Sequence, residues 1–535
     1  MVSNLKLIES ADMDKVDKIK ILGSVVPKDW PVFKIQTEMN VTRTTAEHIK
    51  RYQHDQTLPV RKERSDKIPE ETLQSVINFY HRLDVSRELP GAKDTVKVKK
   101  PDGTTEVLQK KLLLLNVKEA HEVFKKENPT VEIGMTKFYE MKPKNIEHAG
   151  KSPGSMITCV CIHHENPRLA VHTSGIGKFK QFEDLIPEDE VRNVNSKDLM
   201  KFLMCAEPTD DCYLGLCRDC SHRKQDLETR LKTGFKEEKM KSVQYDRWES
   251  TDRPEKIHKT VPVSEFSKEL IDSLDSMKTH HLIYKKQYES FIQQKENLPT
   301  DEVIVVGDFS ENYSIPNQDE IQSAYFSHRS VTIHPFVTYY REEEDGELKV
   351  KHQSTVMVTD NLNHDTNAVA TFQPRLIDDL KGQVPGLRKI NYWSDGAASQ
   401  YKNKKNFANI ANHQQDYGVD CEWNFWASCH GKGPWDGIGG TLKRSCTNAI
   451  KQGKQISTPE DVYKHGVSAL PSVNMHWVPD SEIKKREAEL QKRFKSAKLV
   501  KGTRGFHNYS PIDNKTVRVK QYKSSNISEN KKVSY

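Results

Sequence analysis

The sequence predicts a mixed α/β fold in which a single sheet is covered on its faces by helices. Two observations lead to it. Between residues 300 and 470 the periodic segments run β-β-β-α-β-α-β-α, an antiparallel opening followed by strand–helix alternation. Ahead of this core, residues 157–222 gather cysteines and histidines at metal-like spacings, which marks a separate module. A chain of 535 residues also exceeds what one hydrophobic core serves, so several domains are expected.

Composition narrows the class. Lys and Arg total 83 against 76 Asp and Glu, a net charge of +7, and charged residues make up 30% of the chain. Yet 18 Phe, 18 Tyr and 7 Trp are too many for a disordered protein. The longest aliphatic run, Leu112 to Leu115, falls far short of the ~18 residues a spanning helix needs, so a membrane protein is excluded. The opening MVSNLKLIESADMDK lacks the apolar stretch of a secretory signal, which favours an intracellular address. Of nine cysteines, six fall between Cys159 and Cys220, a clustering that suits metal ligation better than disulfides in a reducing compartment.

Five regions follow in order. Residues 1–145 form a helical N-terminal region. In it, PVFKIQTEMNVTRTTAEHIKRYQ reads as two short helices around Asn40, with Thr42 or Thr44 capping the second and Phe33, Met39, Ile49 and Tyr52 as a small core. A DNA-gripping helix-turn-helix is one reading of this pair; a plain helical hairpin is the other. Residues 150–230 hold the cysteine/histidine module. Residues 231–299 are a linker and a long helix whose Phe266, Leu270, Leu274, Met277, His281, Tyr284, Tyr288 and Phe291 recur at helical steps, with Pro299 closing it. That stripe serves either the chain's own core or a homodimeric coiled coil. Residues 300–470 are the α/β core, and residues 471–535 a basic helix and a tail that reads as disordered. From Ile483 onward there are 15 Lys or Arg against 4 Asp or Glu.

Within the core the strand EVIVVGDFS is followed by SVTIHPFVTYYR and LKVKHQSTVMVTD, which flank an acidic turn as a hairpin. A helix over Asp365–Leu380, the strand RKINYWSDG, a helix over Ser399–His413, the strand CEWNFWASC and a helix from near Asp436 complete the order. Three acids stand at special points. Asp308 and Asp395 end strands, and Asp436 lies in the glycine-rich HGKGPWDGIGG just before a helix. Each alone is a common turn residue. Together they are expected to converge at one rim of the sheet, where their repulsion calls for one or two Mg2+ or Mn2+ ions. Two such ions ~3.5–4 Å apart serve in-line displacement at phosphorus. Gly431, Gly433, Gly437, Gly439 and Gly440 allow close backbone approach to a phosphate, and His430 and Lys432 are placed to touch it. Lys402, Lys404 and Lys405, near a helix start, are candidates to track a DNA strand, although a solvated helix face explains them as well.

The segments DFSENY, HPFVTYY, WSDGAASQYKNKKNF and HGKGPWDGIGG, from about Gly134 to His507 in their wider setting, resemble transposase-derived proteins of the DDE/DDD transposase and integrase superfamily. That resemblance implies a ribonuclease H-like core preceded by helical and zinc-binding modules, with Asp308, Asp395 and Asp436 as the catalytic, metal-holding acids. It further implies a transposon-derived nuclease or strand transferase. In such an enzyme a water or a DNA 3′-hydroxyl attacks a phosphodiester of double-stranded transposon-end or target DNA. The third acid is often Glu in that superfamily, so Asp436 has a shorter reach; Glu422 is its competitor, but lies inside a strand. A catalytically silent DNA-binding or chromatin-associated descendant is the rival reading.

In the cysteine module, Cys161-x-x-His164 and Cys217-x-x-Cys220 are two knuckle halves of matching spacing, expected to hold one structural Zn2+. Cys159, Cys205 and Cys212 remain over, as alternates or in a second site with a histidine. Lys484-Lys485-Arg486 and Lys492-Arg493 suit a nuclear import signal, hence a nuclear address.

Overall fold

The computed structural model describes residues 15–58, 69–82, 85–88, 95–99, 105–113, 117–148, 161–186, 192–250, 253–316, 321, 328–344, 346–431 and 433–535. Cys159 and Lys432 lie outside the described residues. Two compact units emerge, residues 1–76 and 77–535. Among the described residues no helix is long and apolar enough to cross a membrane.

The first unit contains the helices Lys15–Val25, Val32–Glu38 and Arg43–Asp55. Asn40 takes a left-handed φ of 44° in the turn between the last two. The Thr42 hydroxyl caps the third by accepting the Thr45 N–H at 3.3 Å. Ile19, Leu22, Val26, Ile35, Met39, Ala46 and Ile49 form the core. Phe33 is a correction to the expected core, being 69% exposed. Ile35, two positions on, points inward instead, and residues two apart on a helix do not share a face.

In the second unit, residues 77–148 pack Phe79, Tyr80, Phe124 and Phe138 ring against ring beside a three-stranded sheet. The cysteine module follows with α1 (Ile162–Ser174), α2 (Ser196–Phe202), α3 (Asp210–Leu214), α4 (Arg223–Glu237), a hairpin of Ser242–Ser250 with Pro254–Pro262, and α5 (Val263–Glu296). At 34 residues α5 spans about 51 Å. Its apolar stripe is absorbed by the chain itself. Phe266, Leu270, Leu274 and Met277 join Leu199, Leu227, Leu231 and Phe235 in the module's core. Further along, Phe291 packs on Tyr339, Trp393 and Trp426 of the α/β core. Fully buried Gln287 donates to the carbonyls of Phe425 (2.8 Å) and His507 (3.0 Å), which docks the same helix on the sheet.

The core is a ten-stranded mixed sheet. Its strands are β1 (Glu302–Gly307), β2 (Ser310–Ser314), β3 (Ser330–Glu344), β4 (Glu347–Thr359), β5 (Lys389–Ser394), β6 (Asp420–Phe425), β7 (Val473–Trp477), β8 (Asn508–Asp513), β9 (Thr516–Lys520) and β10 (Ser528–Lys532). They lie in the order β7-β4-β3-β1-β5-β6-β8-β9-β10, with β2 paired to β3. Strand β3 is antiparallel to β1 and β4, whereas β1, β5 and β6 are mutually parallel. The helices are α6 (Thr366–Gln383), α7 (Lys404–Tyr417), α8 (Pro434–Lys451), α9 (Pro459–Ala469) and α10 (Asp480–Ser496). Central β1 is buried from Val303 to Gly307, as a strand covered on both faces must be. The expected opening hairpin is β3–β4, in register from Thr332↔Thr359 to Glu344↔Glu347.

Two expectations change. The helix expected from Ser399 begins at Lys404, because the Asn403 side chain accepts the N–H groups of Lys405 (3.0 Å) and Asn406 (3.1 Å) as an N-cap. The tail from Gln521, expected to be disordered, instead carries β10, paired antiparallel with β9. Val517, Val519 and Val533 are fully buried there, and polar residues alternate outward, so the segment's low average hydrophobicity reflects a one-sided strand at a sheet edge.

Candidate active site

Asp308 and Asp395 are brought together by strand register. Val306 pairs with Trp393 across the parallel strands β1 and β5, so the acids two residues on leave the sheet side by side. Asp436 enters from the first turn of α8. Each carboxylate accepts one backbone N–H: Asp308 from Phe309 at 2.8 Å, Asp395 from Ala397 at 3.1 Å, Asp436 from Gly433 at 2.9 Å. The last contact also caps α8, so Asp436 has a structural duty besides any chemical one.

The electrostatics of the three acids are linked. Burial, then the charge of Asp395 and to a smaller extent that of Asp436, push Asp308 up to about 8. Burial also raises Asp395 above its ordinary value. Tyr401 is raised well above its ordinary value by burial, with both Asp308 and Asp395 adding to the shift. Its hydroxyl lies 2.6 Å from Nε2 of buried His334, which burial holds neutral at about 3. A pocket that disfavours its own negative charge in this way is chemically suited to a cation. Tyr401 and His334 sit inside the motifs SQYKNKKNF and HPFVTYY, yet nothing in their spacing assigns them to the acids.

The glycines divide by task. A β-carbon at Gly431 would lie 3.3 Å from the Asp395 Cβ, and one at Gly439 would lie 2.7 Å from the Ser310 hydroxyl oxygen. These two let the loop and α8 press against the acid-bearing strands. An added Cβ at Gly437 or Gly440 would meet nothing within 4 Å. Glu422 is not a fourth acid of the site. Burial opposes its ionisation, but the ammonium groups of Lys523 and Lys389 hold it down at about 2, with Lys389 Nζ at 2.8 Å.

The lysines need correction. Lys402 is only 9% exposed, its Nζ 5.3 Å from the Phe425 ring centre, and burial lowers it to about 8. It lies in the turn before α7 and packs inward, so it does not line a surface track. Lys405 Nζ lies 5.2 Å over Phe494 of α10, while Lys404 is exposed.

The expected single Cys161/His164/Cys217/Cys220 set is also corrected: the structure parts it into two groups. Cys205, Cys212, Cys217 and Cys220 have all four sulfurs within 4.8 Å of one another, with Cys205 and Cys217 3.9 Å apart. Cys161 and His164 instead meet His280 of α5 and His430 within the same limit. Of the cysteines left over, Cys205 and Cys212 complete the first group. His430, expected at a phosphate, is drawn into the second group and stacks on Tyr284 with ring centres 4.1 Å apart.

Three stretches of the chain match family models, each described only as a domain of unknown function: residues 67–150 (DUF8699), 162–278 (DUF8700) and 287–523 (DUF8701). No curated protein and no solved structure matches the chain. What the chain resembles in these comparisons is therefore three adjoining domains of unknown function, the last of which spans all three acids.

Proposed function

We propose that the chain is a transposon-derived, metal-dependent DNA nuclease or strand transferase of the DDE/DDD superfamily, acting in the nucleus on double-stranded DNA. The observation that carries this reading is the placement of Asp308 and Asp395 at the ends of adjacent parallel strands, with Asp308 feeling the charges of Asp395 and Asp436. The order β4-β3-β1-β5-β6, with only β3 antiparallel to its neighbours, supports a ribonuclease H-like core. An acid pair at adjacent strand ends, with Asp308 raised by burial and by the charges of Asp395 and Asp436, fits one or two hard divalent cations such as Mg2+ or Mn2+. When bound, a cation of this kind supplies the positive charge that a phosphodiester under attack requires. Asp308 and Asp395 would hold such a cation from rigid strand ends, and Asp436 from α8. The nucleophile's oxygen, from water or a DNA 3′-hydroxyl, forms a bond to phosphorus as the bond to the leaving oxygen breaks. The proton lost by the nucleophile passes to the leaving oxygen or to solvent.

The Cys205/Cys212/Cys217/Cys220 group fits a structural Zn2+. Two sulfurs on a tetrahedral zinc with 2.3 Å bonds lie about 3.8 Å apart, and Cys205 and Cys217 are 3.9 Å apart. Hydrogen bonds from Thr209 overcome burial and bring Cys212 down to about 6, which favours a thiolate within this group.

The test is a labelled duplex of candidate terminal-repeat DNA, incubated with purified protein and Mn2+. Nicks present with the wild type and absent with Asp395→Ala are expected. Binding without nicks by the wild type overturns the enzyme reading in favour of a silent DNA-binding descendant.

A further inference from the structure

Beyond the acids and the four-cysteine group, the chain concentrates imidazoles at one junction. Cys161 precedes α1, His164 lies in its first turn, His280 is buried in the middle of α5, and His430 follows β6. Their ligand atoms all fall within 4.8 Å of one another. Cys161 Sγ lies 3.2 Å from His280 Nε2. Two ligands on a tetrahedral zinc, one sulfur and one nitrogen, are separated by about 3.5 Å. The rings crowd from different directions: His164 meets His280 at 5.1 Å and His430 at 5.6 Å, and His280 meets His430 at 5.1 Å.

Crowding of this kind is poor hydrophobic packing. His280 is buried, and its Nε2 shares this space with a thiol 3.2 Å away. One thiol with three imidazoles is a borderline-soft, four-membered donor set, a poor match for Mg2+ and a good one for Zn2+.

We propose that Cys161, His164, His280 and His430 bind a second Zn2+ as a closed site of one thiolate and three imidazoles, releasing the Cys161 thiol proton to solvent on binding. With four protein ligands the ion has no open position, so its role is structural. It ties the start of α1 and the middle of α5 to the loop after β6. That loop carries Gly431, whose backbone presses on Asp395. The zinc thus fastens the cysteine module to the wall of the acid site, and neighbouring Cys429, hydrogen-bonded to Cys161, is not needed as a ligand.

The test uses the full chain and two measurements. Metal analysis of purified protein is expected to show one equivalent of zinc that His280→Ala and His164→Ala each lose and that Cys212→Ser and Cys429→Ser each keep. Unchanged zinc in both histidine variants overturns the proposal. Because those variants could fail to fold, zinc-edge X-ray absorption on the wild type provides the second reading. Imidazole scattering with a mixed nitrogen and sulfur shell is expected, and a shell of sulfur alone overturns the site whatever the variants do.

Discussion

Gly431 lies so close to Asp395 that a β-carbon on the glycine would stand 3.3 Å from the Asp395 Cβ and 3.4 Å from the Trp426 ring. The loop after β6 is thereby the back wall of the acid site. Gly431→Val, which adds branching at that contact, is expected to displace Asp395 and reduce Mn2+-dependent nicking by roughly 100-fold, the usual cost of a misplaced catalytic group. A melting temperature within about 3 °C of the wild type would place the effect at the site and not in the fold.

The protonation of Asp308 makes a second outcome measurable. With its value raised to about 8, the folded protein retains a proton that the unfolded chain releases near pH 4. The stability contributed by that proton is full below pH 4 and is lost as pH climbs through about 8. Buried histidines such as His164, held low, act in the opposite sense, losing their contribution as pH falls. The Asp308 share is therefore read as the difference between wild type and Asp308→Asn. Without metal, that difference in melting temperature is expected to move against the wild type by roughly 5 °C between pH 5 and pH 8, and Mn2+ at pH 8 is expected to reverse it. A difference that stays flat with pH would remove the shared-charge account of the site.

Glu422 and Asp436 should separate cleanly. Glu422 is bound to Lys389, Lys523 and, at 2.6 Å, Asn508 Nδ2. Glu422→Gln leaves two half-buried ammonium groups short of a counter-charge, and a loss of about 2 kcal/mol in unfolding free energy is expected with nicking retained. Asp436→Asn is expected to abolish nicking while weakening the α8 cap by only about 1 kcal/mol. Denaturant melts and nicking assays on the two variants check both halves.

For the four-cysteine group, Cys212→Ser is expected to lose one zinc equivalent and to destabilise the module by on the order of 4 kcal/mol, since metal binding there is also folding energy. The equivalent held by the histidine junction stays in place. Circular dichroism with and without a zinc chelator reads the stability change directly. Retention of both zinc and melting temperature would reduce the group to packed thiols.

How far the sequence carried these conclusions differs from element to element. Apolar runs at Val303–Val306 and the alternation around the turn at Glu342–Gly346 are local patterns, and both became the expected strands. The helical stripe along α5 was equally plain, but it took a step of four from Met277 to His281 where a step of three reaches His280, which is the one that is buried. The structure turns His280 inward to Cys161, with His281 beside Tyr213. Likewise the basic run at Lys492-Arg493 reads as free charge, yet Arg493 is paired with Asp416 of α7 at 2.6 Å and 2.7 Å.

Periodicity and turn chemistry depend on neighbours a few residues apart, so the order of strands and helices, and the acids at strand ends, were written into the chain itself. Which sulfurs and imidazoles share a cluster depends on contacts across long separations, such as that between Cys161 and His280. Such contacts exist only once α5 has docked on both the module and the sheet. The grouping of Cys205 with Cys217, the burial of Lys402 and the pressing of Gly431 on Asp395 were therefore decided by tertiary packing, because no local pattern encodes where a distant backbone will come to rest.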